Sequence, residues 1–433
     1  MSEKELWELG FKIITTLETE SGILASGRDE VYGCIFGRDS LITSLALLRS
    51  HEQSKNPYFT RLVRKILWNM ADLQGKKINI ENGEEPGKII HEYRPTNHKH
   101  LTMAEMPWFL DPDKVMRNYD SVDSTPLFLM TAHNYLRASK DELLIEELLP
   151  NIRAALDWLL NFGDTNNDGF IDYRFHPDRT HGGLKTQSWM DSAESLFFET
   201  DNSNPAYPVA PVEVQAYAYV ALRMWSQYFK SKDAALAEAL DTRATDLKEK
   251  FNQTFVLQGK KSLTLAFAID GNGKKLTAPR SSMGHVLWAV WRPNGLTDCI
   301  LEESHIPALV RRLLSRDLFV RRAGIRTLSS RSLHFDPYSY HNGSIWPHDT
   351  EMLAEGLENF GYTDEARCVR QALRRAYQYF KTPIELFVYT KRAFDEYQGS
   401  HCACRTQAWS AASLLAAFSP AEPVAPIAEP ELI

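Results

Sequence analysis

The stretch Gln187-Ser188-Trp189-Met190-Asp191-Ser192 lies near the middle of a long segment, residues 163–210, that has no sustained helical period. An aromatic ring stands beside a carboxylate here, and Glu194 follows three residues later. An apolar ring next to a carboxyl group can raise its pKa, which a general acid at neutral pH requires. Asp191 could instead simply cap a turn. The segments on either side of this loop favour the catalytic alternative.

Apolar residues recur with the 3.6-residue period of a helix in twelve segments of the chain. We predict helices over residues 3–18, 38–53, 57–75, 123–138, 141–162, 211–230, 233–255, 282–291, 300–316, 344–360, 364–381 and 405–418. Short extended pieces are expected near Gly169–Arg174 and Ser262–Ala268. No long β-rich run competes, so the sequence predicts an all-α protein.

The connections between these helices alternate in length. Links after even-numbered helices are short, whereas most links after odd-numbered helices are long: 76–122, 163–210, 256–281, 317–343 and 382–404. Long loops without structure of their own are uncommon in compact domains and are usually functional. The pattern predicts six helical hairpins closed into a ring, an (α/α)6 barrel, with the even-numbered helices inside and the long loops on one rim.

The even-numbered helices begin with motifs that mix charge, aromatic rings and small residues. These motifs contain Arg38 and Asp39, Asp123, Glu213 and Gln215, His285, the run His341, Asn342, Trp346, His348 and Asp349, and finally Gln407 and Trp409. All six helix N-termini would meet on the long-loop rim, where each presents unpaired N–H groups. Taken singly, the carboxylates could be caps and the histidines and rings could be core residues. Six such motifs at equivalent places favour a shared site.

Composition excludes several classes of protein. The 433 residues are 43% hydrophobic and 24% charged, with a net charge of −7 and no basic block, which argues against nucleic-acid binding. Five scattered cysteines argue against a disulfide framework and fit a reducing cytoplasm. The polar N-terminus is unlike a signal peptide, and no apolar run is long enough for a membrane span.

Two stretches are weak candidates for metal binding. Residues 164–172, Asp-Thr-Asn-Asn-Asp-Gly-Phe-Ile-Asp, resemble the start of a Ca²⁺ loop, but Phe175 occupies the twelfth position where Glu is required. A turn stabilised by Asx hydrogen bonds is the alternative, and it is favoured. His401-Cys402-Ala403-Cys404 lacks a second pair of ligands with matching spacing, so a run of packed small residues is favoured there.

The motifs together resemble the bacterial amylo-α-1,6-glucosidase family, the glucosidase half of glycogen debranching enzymes, and more distantly the glucoamylase-like (α/α)6-barrel glycosidases. The resemblance runs from about residue 22 to 418. The matching stretches, in the order of the family, are Phe36–Ser40, Gly87–Arg94, Ser121–Phe128, Gln187–Ser192, Glu213–Tyr217, Gly324–Leu328, Tyr340–Asp349, Glu385–Phe387 and Gln407–Trp409.

The resemblance implies roles for particular residues. Asp191 matches the general acid, Glu385 the general base, and Arg38 with Asp39 the pair that holds the hydroxyls of the terminal glucose. Further substrate contacts are expected from His91, Glu92, Arg94, Asp123, Gln187, Trp189, Glu213, Gln215, His341, Asn342, Trp346, His348, Asp349, Gln407 and Trp409. The family's reaction needs no metal and no organic cofactor, and its partner is a carbohydrate.

Several alternatives stay open at this stage. The transferase domain of two-activity debranching enzymes has no counterpart here, so a glucosylglycerate-type or sucrose-type glucoside competes with a branched glucan as substrate. A sugar-binding protein without catalysis, or an epimerase or lyase using His341 or His348, are alternatives from other classes. Glu396 competes with Glu385 as the base. We expect one catalytic domain over residues 1–418 and a disordered Pro/Ala/Glu-rich tail over 419–433.

Overall fold

The computed structural model describes residues 1–259, 263–399 and 402–419. Within them lie thirteen α-helices: α1 (Glu3–Leu17), α2 (Gly37–Ser54), α3 (Pro57–Asp72), α4 (Lys99–Thr102), α5 (Ser124–Ser139), α6 (Glu142–Asn161), α7 (Val212–Phe229), α8 (Ala234–Thr254), α9 (His285–Trp288), α10 (Ile306–Leu313), α11 (Pro347–Asn359), α12 (Thr363–Phe380) and α13 (Ala408–Ala417). All twelve predicted helices are present, and the short α4 lies inside a long loop.

The strands are short and, where the structure describes them, pair only in antiparallel fashion. They are β1 (Glu18–Thr19), β2 (Gly22–Ile23), β3 (Ile35–Phe36), β4 (Glu92–Arg94), β5 (Met116–Asn118), β6 (Ala210–Pro211), β7 (Val256–Gln258), β8 (Leu263–Leu265), β9 (Ala268–Ile269), β10 (Lys275–Leu276), β11 (Phe319–Val320), β12 (Gly324–Ile325), β13 (Phe387–Thr390) and β14 (Ala393–Glu396). None forms a central sheet. The strands therefore serve to brace the loops around the helical ring.

Six helices form a closed inner ring. Helix α2 packs against α5, α5 against α7, α7 against α9, α9 against α11, α11 against α13, and α13 returns to α2. Helices α3, α6, α8 and α12 each pack outside the inner helix that precedes them, and α1 covers α13. This is the predicted (α/α)6 barrel, with the even-numbered helices of the prediction inside.

Burial follows the two layers. In the inner helix α7, every residue from Val212 to Leu222 is buried. The outer helix α12 is amphipathic, because its buried residues recur at helical spacing and its other face is charged. Burying residues on all sides is what an inner helix of a large barrel requires.

Two elements differ from the prediction in length. The helix expected over 282–291 is a 3₁₀ turn, Ser281–Gly284, followed by the single turn α9. The helix expected over 300–316 starts later, with a 3₁₀ turn at Glu303–His305 before α10. The side-chain amide of Asn252 in α8 bonds the carbonyl of Ile300 and the N–H of Glu302, which satisfies these groups without a helix.

The six inner helices all begin at the rim where the long loops lie. At the other rim the hairpins are tight: two residues join α2 to α3 and α5 to α6. The site candidates collected from helix starts are thereby brought to one end of the barrel. In the described residues, no helix combines the length and the apolar character that crossing a membrane demands. Residues 420–433 of the expected tail lie outside the described residues.

Candidate active site

The start of α2 is fixed by close backbone packing. Strand β3 pairs with β4 and leads directly into the helix at Gly37. A Cβ atom on Gly37 would lie only 2.0 Å from the carbonyl oxygen of Ile90, so no larger residue fits there. This contact sets the first turn of α2 against the chain just before β4, and Arg38 and Asp39 occupy that turn, both buried.

Arg38 connects two carboxylates at the barrel centre. Its Nε lies 2.5 Å from Oδ2 of Asp123, the residue that precedes α5, and its Nη1 lies 2.9 Å from Oδ2 of Asp191. Ser121 donates its hydroxyl hydrogen to the other oxygen of Asp123. Arg38 and Asp123 are fully buried, whereas 24% of the Asp191 side chain is exposed. Asp191 is therefore the member of this group that faces open space.

That space is a cavity with about 380 Å³ of empty volume at the N-terminal rim. Three carboxylates line it, Asp39, Asp191 and Glu385. Its other walls are aromatic rings and polar side chains: Tyr32, Phe36, Arg38, His91, Trp189, Tyr340, His341, Trp346, Gln407 and Trp409. Ten of the residues predicted for the site thus meet around one cavity, including both candidate catalytic carboxylates.

Glu385 is buried and held at both oxygens. Tyr340 donates its hydroxyl hydrogen to Oε1, and the N–H of Cys404 donates to Oε2 at 2.7 Å. Burial raises the pKa of Glu385 to about 7, against the lowering effect of the Tyr340 hydrogen bond. Glu396, the alternative base, lies in the exposed strand β14, pairs with Arg405 and does not line the cavity.

The other two carboxylates of the cavity also hold protons more strongly than usual. Burial raises the pKa of Asp39 to about 8, although the Arg38 charge opposes the shift. Burial also raises the pKa of Asp191 above its ordinary value, again opposed by Arg38. Each of these carboxylates disfavours ionisation of its neighbour. A proton donor and a proton acceptor can therefore coexist in this cavity near neutral pH.

Trp189 is the centre of the aromatic wall. Its ring meets Trp346 edge to face, with centroids 5.0 Å apart, and meets Trp409 in the same way at 5.7 Å. His348 lies 4.5 Å from Trp189 and stacks on Trp409 at 3.7 Å. Burial holds the pKa of His348 well below its usual range. His348 is packed beneath the cavity rather than in its lining, so it is poorly placed to act as a base on a ligand.

Unpaired polar atoms accumulate around the cavity. Most buried polar groups in proteins find a hydrogen-bond partner. Among the described residues, five side chains of the cavity lining carry a buried polar atom without one: Nη2 of Arg38, Nδ1 of His91, Nε1 of Trp189, Oε1 of Gln407 and Nε1 of Trp409. Such a set of donors and acceptors beside aromatic rings suits a polyhydroxylated ligand such as a sugar.

Other predicted residues lie outside the cavity lining and have partners of their own. Glu92 and Arg94 pair with each other, and Arg94 also bonds the carbonyls of Val31 and Asn97. These bonds brace the β3–β4–β5 sheet behind the site. The amide of Gln215 bonds the backbone of Ile171 on both sides, which fixes the loop before α7. The amide of Gln187 bonds the carbonyl of Leu184 at 3.2 Å.

Asp349 and Glu213 are buried and do not line the main cavity. Oδ1 of Asp349 is 2.7 Å from Nε2 of His285, whose Nδ1 bonds the hydroxyl of Tyr217 at 2.5 Å. His285 is thus a buried histidine with partners on both sides. Glu213 lines a second, smaller cavity together with Arg280. Asn342 bonds the carbonyl of Glu194 at 2.8 Å and does not line the main cavity.

Two residues near the site could not be predicted from the sequence. Tyr32 lines the cavity but lies in an irregular stretch without a recognisable pattern. Arg280 bonds the segment that carries Asp191, through partners that are distant in sequence. Tyr340 stands within a matching motif, but its contact with Glu385 depends on the loop between α12 and α13.

In the residues that the structure describes, neither candidate metal stretch forms an assembled group of ligands. In residues 164–172, Asp164 accepts hydrogen bonds from the N–H groups of Asp168 and Gly169, and Asp172 accepts from Thr165. These are the bonds of an Asx-stabilised turn. Across the described parts of the chain, no three His, Cys, Asp or Glu side chains are arranged to hold a metal ion. His401 of the other stretch lies outside the described residues.

A larger cavity, about 1,240 Å³, lies at the opposite end of the barrel. It is lined by the C-terminal turns of inner helices, and its charges are largely paired with each other: Arg49 with Glu355 at 2.8 Å and Arg137 with Glu52 at 2.7 Å. Neither candidate catalytic carboxylate lines it. Both candidate catalytic carboxylates line the smaller cavity at the N-terminal rim instead.

Comparison with known proteins identifies a family of glycoside hydrolase domains. The family model of the mannosylglycerate hydrolase MGH1-like glycoside hydrolase domain matches residues 111–410, more than half of the chain. No curated protein sequence matches.

Similar solved structures include the GH63 mannosylglycerate hydrolase from Thermus thermophilus in complex with glucose, with a TM-score of 0.62 and 14% identity over 95% of this chain and 99% of that chain. The same enzyme in complex with Tris and D-glycerate gives 0.62 and 13% over the same shares. A wild-type glycosidase gives 0.58 and 14%, covering 96% of each chain. At this identity the likeness supports the (α/α)6 fold.

Proposed function

Because this chain belongs to the family of mannosylglycerate hydrolase MGH1-like glycoside hydrolase domains, we propose that it hydrolyses a small α-hexoside whose leaving group is a short hydroxy acid such as glycerate. The observation that carries the proposal is the meeting of Asp191 and Glu385 around one cavity that is also lined by aromatic rings and unpaired polar atoms. Paired carboxylates of this kind are the basis of most glycoside hydrolysis.

In the proposed reaction, Asp191 gives its proton to the glycosidic oxygen while the bond from that oxygen to the anomeric carbon breaks. Glu385 takes a proton from a water molecule, and the water oxygen bonds the anomeric carbon from the opposite face. The α-hexoside therefore releases a β-hexose and an alcohol. The raised pKa of Asp191 favours the protonated donor, and Tyr340 and Cys404 orient Glu385 by bonding both of its oxygens.

Arg38 and Asp39 are proposed to hold hydroxyl groups of the hexose. Both are buried in the first turn of α2 and line the cavity. Their position is fixed by the close contact at Gly37, so the hexose would be held by groups that need little rearrangement. Trp409 and Trp346 supply flat apolar walls for the sugar faces.

The solved relatives favour a small substrate, because the relative with bound D-glycerate is a mannosylglycerate hydrolase. Amylo-α-1,6-glucosidase activity, which the sequence motifs favour, is the second candidate. In that reaction a branched glucan would extend out of the cavity.

A substrate panel tests the proposal. Purified protein is incubated with glucosylglycerate, mannosylglycerate, sucrose, isomaltose, panose and a limit dextrin, and hexose release gives kcat/KM for each. We expect a hexosylglycerate to exceed isomaltose and limit dextrin by roughly 100-fold or more. A preference for limit dextrin would favour the debranching activity instead. No release from any hexoside, together with binding of glucose, would favour a non-catalytic sugar-binding protein.

A further inference from the structure

Arg280 is a buried guanidinium directly before the 3₁₀ turn that leads into α9. Only 1% of the residue is exposed. Its Nη1 donates to the carbonyl oxygen of His341 at 2.8 Å and contacts Sδ of Met190 at 3.4 Å. Its Nη2 donates to the carbonyl oxygen of Ser195 at 2.6 Å and to Oδ1 of Asn342 at 2.8 Å. The fork therefore joins two segments of the chain that lie about 150 positions apart in sequence.

No carboxylate lies within ion-pair distance of Arg280 in the described parts of the chain. Its charge is stabilised by carbonyl oxygens and by the rings of Phe197 and Phe267, whose centroids lie 5.3 and 4.8 Å from the guanidinium carbon. Burial lowers the pKa of Arg280 to about 9, so the charge persists at neutral pH in a position that disfavours it. A buried charge without a partner of opposite sign is costly. Its cost points to a role other than stability.

The first of the two segments is Met190–Ser195, which carries Asp191. Inside the segment, the hydroxyl of Ser195 bonds the carbonyls of Met190 and Ser192 at 2.6 and 2.8 Å. The segment's bonds to the rest of the chain involve side chains, such as Arg38 on Asp191 and Nδ1 of His341, which lies 3.3 Å from the N–H and 2.9 Å from the hydroxyl of Ser192. Within the described residues, no backbone-to-backbone hydrogen bond ties it to another part of the chain. Its position therefore depends on side chains that reach it from outside.

The second segment, His341–Ser344, is anchored independently. The N–H of Asp336 bonds the carbonyl of Asn342 at 2.9 Å, and the N–H of Thr327 bonds the carbonyl of Ser344 at 3.0 Å. The side chain of Asn342 in turn bonds the carbonyl of Glu194 at 2.8 Å. A fixed segment and a dependent segment thus face each other, and Arg280 spans them.

We propose that Arg280 is a positioning residue for the general acid: it fixes the segment Met190–Ser195 against His341–Asn342 and so aims Asp191 at the glycosidic oxygen. This inference rests on the proposed function, because it presumes that Asp191 is the proton donor. Lysine cannot replace Arg280 fully, since an ammonium has no planar fork that bonds carbonyl oxygens on two segments at once.

Leaving-group dependence tests the inference. An alkyl hexoside such as the hexosylglycerate needs a proton on its leaving oxygen, whereas fluoride leaves from α-glucosyl fluoride with little help from an acid. In Arg280→Met we expect kcat on the hexoside to fall roughly 100-fold with KM changed less than about threefold, and kcat on the fluoride to fall less than about fivefold. Arg280→Lys should recover part of the loss.

Arg326→Met is the matched control. Arg326 also lies over an aromatic ring, Phe335, and has no ion pair in the described residues, but it does not contact the segment Met190–Ser195. Its turnover should stay close to that of the wild type on both substrates. If Arg280→Met does not fold, Asn342→Ala removes an Arg280 partner and the bond to Glu194, and should show the same selective loss in smaller measure.

The outcomes separate this inference from the proposed function. If kcat of Asp191→Asn falls equally on the hexoside and on the fluoride, Asp191 is not the acid and the proposed function fails. If kcat of Asp191→Asn falls only on the hexoside, but kcat of a folded Arg280→Met falls equally on both substrates or on neither, the positioning role of Arg280 is overturned. Selective loss in both variants supports both proposals.

Discussion

The Nη1 atom of Arg38 lies 2.9 Å from Oδ2 of Asp191, the carboxyl group that must carry a proton in the proposed reaction. Two effects oppose each other there. Burial raises the pKa of Asp191, and the guanidinium lowers it, with burial the larger effect. Arg38 also pairs with Asp123 at 2.5 Å, so its charge is shared between the two carboxylates. The protonation of the acid therefore depends on its burial first and on the shared charge of Arg38 second.

Asp191→Asn should lower kcat on the hexoside by about 100- to 10,000-fold, because the amide keeps the shape of the side chain but has no proton to give. Binding of glucose, measured by thermal shift or calorimetry, should change little. Glu194→Gln is the matched control, since Glu194 is exposed three residues further on and should leave kcat near that of the wild type. Retention of a third of the wild-type rate by Asp191→Asn would contradict the assignment.

Arg38→Ala should raise KM and lower kcat, because it removes a proposed hexose contact and the partner of two buried carboxylates. It should also change the pH profile. Removing the positive charge raises the pKa of Asp191 further, and a general acid loses activity as the pH rises through its pKa. The alkaline limb of kcat should therefore move to higher pH. A limb that moved to lower pH would argue against Asp191 as the donor that Arg38 controls.

Tyr340→Phe tests the other carboxylate. The Tyr340 hydroxyl donates to Glu385 and lowers its pKa, which burial has raised to about 7. Loss of this bond should raise the pKa of Glu385, and a base works only above its pKa, so the acid limb of kcat should move to higher pH. Tyr338→Phe is the control, because exposed Tyr338 bonds Asp395 at 2.8 Å instead. An unchanged acid limb in Tyr340→Phe would separate that limb from Glu385.

The fold could be predicted from the sequence because its determinants are local. Helical periodicity, loop lengths and the motifs at helix starts each depend on nearby residues, and together they predict the inner and outer rings. The shortened helices α9 and α10 could not be predicted this way. Their ends are set by contacts with other helices, such as the bonds from Asn252 to Ile300 and Glu302. Those contacts exist only once the barrel has closed.

The same distinction between local patterns and long-range contacts applies to the residues of the candidate site. Arg38, Asp39 and Asp191 stand in recognisable motifs, and the structure brings them together. Arg280 stands in no motif, because its partners are carbonyl oxygens, which any residue type supplies. Gln215 shows the reverse: it stands in a motif, yet its amide is used to fix the backbone of a loop. A motif reports which residue type is required and leaves open whether the requirement is catalytic or structural.

Glu213→Gln should make the protein more stable at alkaline pH. Burial raises the pKa of Glu213 from 4.5 to about 7, so its contribution is most favourable below pH 4.5 and is lost as the pH rises to about 7. At about 1.36 kcal/mol per pKa unit, the ionised group costs up to about 3 kcal/mol above that range. We expect the melting temperature of the variant to exceed that of the wild type at about pH 8.5 and to match it near pH 4.5. Equal differences at both pH values would exclude ionisation as the cause.

The last prediction concerns stereochemistry. If Glu385 activates water rather than attacking the anomeric carbon, an α-hexoside must release the β-anomer first. In that arrangement the carboxyl groups of Asp191 and Glu385 stand about 6.5–9.5 Å apart, which leaves room for the water. The position of Glu385 supports this role, because its two oxygens are oriented by Tyr340 and Cys404 at the wall of the cavity.

NMR of the fresh product distinguishes an inverting from a retaining mechanism. Paired variants then identify which carboxylate acts as the base. We expect the β-anomer to appear first, Glu385→Gln to be nearly inactive, and Glu396→Gln to match the wild type, because Glu396 is exposed and pairs with Arg405 outside the cavity. The α-anomer as first product would exclude a water-activating base, since a nucleophilic carboxylate inverts the anomeric carbon twice. An inactive Glu396→Gln beside an active Glu385→Gln would move the base to β14 and would require that strand to close over the cavity during turnover.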